Sequence, residues 1–167
     1  MTGKSGRLLA VVEEATPKLL AIPNAASAQP PAPGKWSPRE ILGHLIDSAA
    51  NNHQRFVRGQ TGDDLVFHGY DQEAWVSLQK YRDADWSELV TLWRAYNRHL
   101  ARIVAAIPEE TVTRRMDRHN LDTIAWKAMS GKTPASLADL IEDYVDHMEH
   151  HLKQILGRPV SGSGDVG

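Results

Sequence analysis

Two apolar stripes of helical period, each preceded by its own start signal, constrain this chain more than any other feature. Leu89, Trp93, Tyr96, Leu100, Ile103, Val104 and Ile107 recur at helical steps, and Leu137, Leu140, Ile141, Tyr144, Met148, Leu152 and Ile155 do the same. Asp85-Trp86-Ser87-Glu88 opens the first, an N-cap with a glutamate three residues on, and Pro108 ends it. Thr133-Pro134-Ala135-Ser136 opens the second, and Gly157-Arg158-Pro159 stops it. Two further helices are expected upstream. One covers residues 6–21 and dissolves into a stretch of proline and small residues. The other begins at Ser37-Pro38-Arg39-Glu40, a capping box with proline where its missing N–H costs nothing, and runs to Arg58 before Gly59. No alternation of strand period competes, so the expected class is all-α, a four-helix bundle.

The connections are uneven. Residues 59–84 form a long link for a bundle, and 70–76 within it read as a short helix with an aromatic anchor. Residues 109–132 form a second long link, carrying Trp126 and Met129. One domain is expected over residues 1–157, with a disordered tail at 158–167.

Composition narrows the chemistry. The 167 residues include no cysteine, which removes disulfides, thiolate ligands and a cysteine nucleophile together. Any metal must therefore sit on nitrogen and oxygen. A formal net charge of −2 and dispersed basic residues give no long-range attraction for a phosphate backbone, so no nucleic-acid partner is expected. The apolar group from Leu8 to Val12 is too short for a signal segment or a membrane span. A soluble, cytoplasmic protein without a membrane partner is the expectation.

Among eight histidines, His147 and His151 stand four apart on the flank of the last stripe, so both imidazoles leave one side of a helix about one turn apart. That spacing suits a shared metal ion, with His44 of the second helix as third ligand. His150 points away from the stripe, toward solvent. His53, His68, His99 and His119 have no partner at ligand spacing and are expected on the surface or in loops. His44 leads a polar stripe, Ser48, Asn51 and Arg55, which is either a solvated face or the wall of a substrate cavity; in the second case these three contact substrate, with Arg55 holding an anionic substituent. Three neutral imidazoles leave coordination positions open, as catalytic rather than structural zinc sites do, and the ion can lower the pKa of bound water or thiol. Asp146 and Glu149 are candidate acceptors for the imidazoles' second nitrogens.

These residues resemble the DinB/YfiT-like superfamily. The resemblance extends from Lys35 to Ile155 through Lys35-Trp36-Ser37, Glu40, Gly43-His44-Leu45, Asp47-Ser48, Asn51, Arg55-Phe56, Tyr70-Asp71-Gln72-Glu73-Ala74-Trp75, His147, His151 and Gln154-Ile155. It implies an up-down-down-up four-helix bundle, a homodimer, and one divalent metal ion, zinc or nickel, on His44, His147 and His151. It also implies a small-molecule transferase that uses a low-molecular-weight thiol as cosubstrate. A metal-dependent hydrolase and a non-catalytic metal- or ligand-binding bundle are the alternatives. The homodimer also follows from five tryptophans, more than one core of this size readily buries.

Overall fold

The computed structural model describes residues 3–157; the tail expected to be disordered, 158–167, lies outside the described residues. Four long helices carry the architecture: α1 (Gly3–Leu20), α3 (Pro38–Arg58), α5 (Trp86–Ala106) and α8 (Leu137–Leu156). Short helices fill the connections: α2 (Asn24–Ser27), α4 (Gln72–Gln79), α6 (Glu109–Thr113) and α7 (Leu121–Ile124). The starts follow the cap chemistry in the sequence. The Ser37 side chain accepts the Glu40 amide while Glu40 accepts the Ser37 amide at 2.8 Å, and Ser136 and Asp139 form the same reciprocal pair. Asp85 caps α5 by accepting the amide of Glu88 at 3.0 Å.

Contacts between the helices fix their directions. Trp86 at the start of α5 donates its indole N–H to the carbonyl of Leu19 at the end of α1, so these helices are antiparallel. Lys4 pairs with Glu142 and Arg7 with Asp146 and Glu149, so α1 and α8 are parallel. Arg39 reaches the carbonyl of Arg82 and His53 reaches Tyr96, so α3 and α5 are parallel. Gly59 meets Leu137 and His44 meets His151, so α3 and α8 are antiparallel. The bundle is up-down-down-up, with α1 and α3 each packed on both α5 and α8. Leu8, Leu42, Leu45, Phe56, Trp93, Leu100, Leu140 and Ile141 fill the centre. Of the five tryptophans, Trp86 and Trp93 are in that core, Trp36 is half-buried, and Trp75 and Trp126 are 37% and 45% exposed.

The two long connections bind each other. Leu65 donates to the carbonyl of Arg118 and accepts from the amide of Asn120, while the Asn120 side chain bonds both backbone groups of Phe67. Met116 and Ala135 exchange a pair of backbone bonds. These are isolated bridges, and no named strand occurs among the described residues. They bring Tyr70 of the first connection and Thr123 to Trp126 of the second to the same end of α3 and α8.

Close packing at one glycine links the first connection to α3. Lys80 takes a left-handed backbone (φ 51°), and the Tyr81 ring that follows packs directly against Gly43; a Cβ there would stand 2.1 Å from the ring. Tyr81 then donates its hydroxyl to Asp47 at 2.6 Å, and Gln79 donates to the same carboxylate oxygen at 2.8 Å. Gly43→Ala should gain roughly 1 kcal/mol of helix propensity but lose more by displacing this buried ring. The expected net loss, about 1–3 kcal/mol in denaturant unfolding, is contradicted by a variant as stable as the parent.

Candidate metal centre

The antiparallel packing of α3 on α8 sets His44 against His147 and His151. His44 is 1% exposed and His147 7%, because each leaves its helix toward the interface, while His151 one turn further is half-buried. The Nε2 atoms of His44 and His147 are 3.1 Å apart. The three rings are mutually near-perpendicular, with centroids 4.6–5.0 Å apart. One ligand nitrogen from each can be chosen so that all three lie within 4.8 Å of one another. Three nitrogens bound tetrahedrally at zinc–nitrogen distances would be spaced by about 3.4 Å, so the trio needs only small side-chain adjustments to hold one ion.

Electrostatics agrees with the geometry. Burial pushes the His44 imidazole down to about 4, helped by the neighbouring His151. Burial and the three nearby histidines push His147 down to about 3. His151 is also lowered, by burial first, against a hydrogen bond to Gln154 that acts the other way. Neutral imidazoles are the form a metal binds, so at physiological pH these side chains are in the protonation state that could hold a cation. The His151 Nδ1 lies 2.8 Å from Gln154 Oε1, an acceptor that fixes Nδ1 as the protonated nitrogen and leaves Nε2 as the donor to a metal. His44 Nδ1 is buried with no hydrogen-bond partner, and so is Asp47 Oδ2 one turn along the same helix.

Two tryptophans flank the imidazoles. Trp36, in the turn before α3, lies 5.1 Å from the His44 ring. Trp126 lies 5.9 Å from His147 and 5.0 Å from His150, tilted at 37° to the latter. Asp143, one turn before His147, holds Trp126 there by accepting the amides of Trp126 and Lys127 at 2.9 and 2.7 Å. Asp143 carried no sequence motif; its place four residues before His147 on one helix face was its signal. Asp146 and Glu149 do not reach the imidazoles. Both pair with Arg7, and Asp146 also pairs with Lys127.

The polar stripe of α3 is largely buried. Ser48 is 3% exposed and Arg55 6%, and both line a cavity that His147 also lines. Asn52 joins them there, whereas Asn51 is half-buried and donates to the carbonyl of Asp47 in its own helix. Helical spacing alone places 51 and 52 on either side of the stripe; the direction in which α8 and the loops approach decides between them. His150 is exposed; His53 bonds the Tyr96 hydroxyl, His99 meets Arg102, His119 bonds the carbonyl of Thr133, and His68 is exposed in the first connection.

Comparison with known proteins agrees with this architecture. A family model described as the DinB superfamily matches residues 7–155. A Bacillus subtilis (strain 168) protein named "Putative metal-dependent hydrolase YfiT" is 26% identical over 122 residues, which is 73% of this chain. The chain spans 63% of the length of that curated relative. The solved structure of YfiT from Bacillus subtilis, described as having an unusual four-helix bundle topology, superposes with a TM-score of 0.72 at 22% identity, covering 94% of this chain and 86% of that one. Among the described residues, no helix is long and apolar enough to cross a membrane.

The buried imidazoles predict how the metal-free protein responds to acid. Their pKa values are lower folded than the usual 6.5 of an unfolded histidine, so the folded state binds fewer protons and stability rises with pH. This contribution is fully present above about pH 6.5 and is lost as pH falls toward about 4 to 3. Metal-free protein should lose about 3–4 kcal/mol between pH 7 and 5 in urea unfolding, about 2 from each imidazole, and His147→Gln should remove about half of that slope. An equally steep profile in that variant would show that other groups carry the acid sensitivity.

Proposed function

Because this chain belongs to the DinB superfamily, we propose that it is a metal-dependent enzyme acting on a small molecule, with His44, His147 and His151 holding one divalent ion. The observation that carries this reading is the convergence of three neutral imidazoles, two of them buried, with one of the buried pair, His147, also lining a cavity. An all-imidazole donor set suits zinc or nickel. When bound, such an ion supplies Lewis acidity that lowers the pKa of a coordinated water or thiol toward neutrality.

The chain's own residues do the rest. The rigid α3–α8 packing fixes the imidazoles, Gln154 sets the tautomer of His151, and Trp36 and Trp126 exclude water from two sides. The nearby carboxylates are committed elsewhere: Asp143 to two backbone amides, Asp146 to Arg7 and Lys127, and Asp47 through one oxygen to Tyr81 and Gln79. Since each of these carboxylates among the described residues is already held by hydrogen bonds or ion pairs, the site favours a nucleophile that the ion can ionise unaided. A thiol, with an ordinary pKa of about 8.5, needs a far smaller drop than water at about 15.7. We therefore place a low-molecular-weight thiol first as cosubstrate, which makes the reaction an S-transfer. The name of the Bacillus relative favours the second reading, hydrolysis by water. A homodimer is part of the proposal, supported by the exposed Trp75 and Leu78 of α4, which pairing would cover.

His147→Ala should lower metal content to well below one ion per chain while keeping the helical circular dichroism of the parent, since the apolar stripes are untouched. Full occupancy in that variant contradicts the site. Turnover of electrophiles by the metal-loaded protein only when a small thiol is present supports S-transfer, and equal turnover without thiol selects hydrolysis.

A further inference from the structure

The wall of the cavity away from the imidazoles carries a charge that nothing in the fold neutralises at contact distance. Arg55 is 6% exposed, yet it takes part in no ion pair among the described residues. Its guanidinium donates one hydrogen bond, to the carbonyl of His68 at 2.9 Å. A guanidinium has five N–H donors, so most of its capacity faces the cavity it lines. Asp143 acts on it electrostatically, but both Asp143 oxygens already accept backbone amides. Burial without a paired anion is costly for a charge, and a protein keeps such a group where a ligand completes it.

Beside Arg55 the cavity offers further donors. The Tyr70 hydroxyl interacts with Ser48, and burial pushes it up to about 12, so it stays protonated at neutral pH. The cavity measures about 150 Å³, below the range of drug-sized pockets. A cationic fork with a neighbouring hydroxyl donor, in so small a space, matches a planar acceptor carrying one negative charge.

We propose that Arg55, assisted by Tyr70, forms a carboxylate subsite, so that the substrate of the proposed enzyme is a small organic acid. The inference rests on the metal-enzyme reading for its word substrate, but the subsite stands on Arg55 alone. His44 and Arg55 are about three turns apart on α3, and a helical side chain reaches back toward the N-terminus. The acid is thereby oriented with its carboxylate at Arg55 and its reacting end toward the imidazoles. Ser48 and Asn52 lie along the path between.

The test uses the full chain, zinc-loaded and metal-free, titrated with propionate, its neutral isostere propionamide and inorganic phosphate, and followed by NMR shifts of the arginine Nε–H groups. Propionate should bind both forms and propionamide neither, with phosphate weaker than propionate. Arg55→Met, which keeps the apolar stem, should weaken propionate at least tenfold; Arg55→Lys should retain part of the binding, and Tyr70→Phe should lose several-fold while melting like the parent. Equal binding of propionate and propionamide, tighter binding of phosphate, or unaltered propionate binding by Arg55→Met overturns the subsite and makes Arg55 a brace for the chain at His68. Because the metal-free arm does not involve the ion, a failed metal site and a failed carboxylate subsite give different results.

Discussion

The site depends on the antiparallel contact of α3 with α8, which brings the Nε2 atoms of His44 and His147 within 3.1 Å across 103 residues of sequence. Burial pushes the pKa values of both imidazoles down, and neighbouring histidines, His151 for both, push them further, so both stay neutral. The fold thus maintains a cluster of neutral nitrogen donors at a cost in acid stability, an arrangement with little structural benefit of its own. The rest of the bundle serves to hold that contact. Leu42, Leu45 and Phe56 on one helix and Leu140, Ile141 and Tyr144 on the other pack the seam beside the histidines.

Around the imidazoles, the two long connections supply what four straight helices cannot. They are tied to one another through Leu65 and Asn120, and they deliver Tyr70 and Trp126 to the cavity from opposite sides of the chain. Asp143 and Asp146 anchor the second connection to α8 through Trp126 and Lys127. One helix therefore carries two metal-ligand candidates and the acceptors that hold the aromatic wall over them. Ordered loops of this kind, fixed on a rigid scaffold, are where substrate contacts concentrate.

Much of this was legible in the sequence because its causes are local. Ser37 with Glu40, Asp85 with Glu88 and Ser136 mark helix starts through hydrogen bonds made within one turn, and the apolar stripes fix which face turns inward. The histidine trio was legible for the same reason: His147 and His151 share a face by spacing, and His44 lies in the other helix that places a histidine beside an apolar stripe. What was not legible depends on contacts distant in sequence. The choice of Asn52 over Asn51 at the cavity, the commitment of Asp146 to Arg7, and the role of Asp143 under Trp126 all follow from how loops and helices approach one another. The burial of Ser48 and Arg55, left open between a solvated face and a cavity wall, is decided by the same approach.

The most direct measurement of the central claim is X-ray absorption at the metal edge of the zinc-loaded protein, compared with the His44→Ala, His147→Ala and His151→Ala variants. Three imidazoles at zinc–nitrogen distances of about 2.0–2.1 Å, with one imidazole lost in each variant and no sulfur ligand from the protein, are the predicted result. A zinc environment dominated by oxygen, or one that keeps the same number of imidazoles in all three variants, would contradict the claim that these histidines form the metal centre.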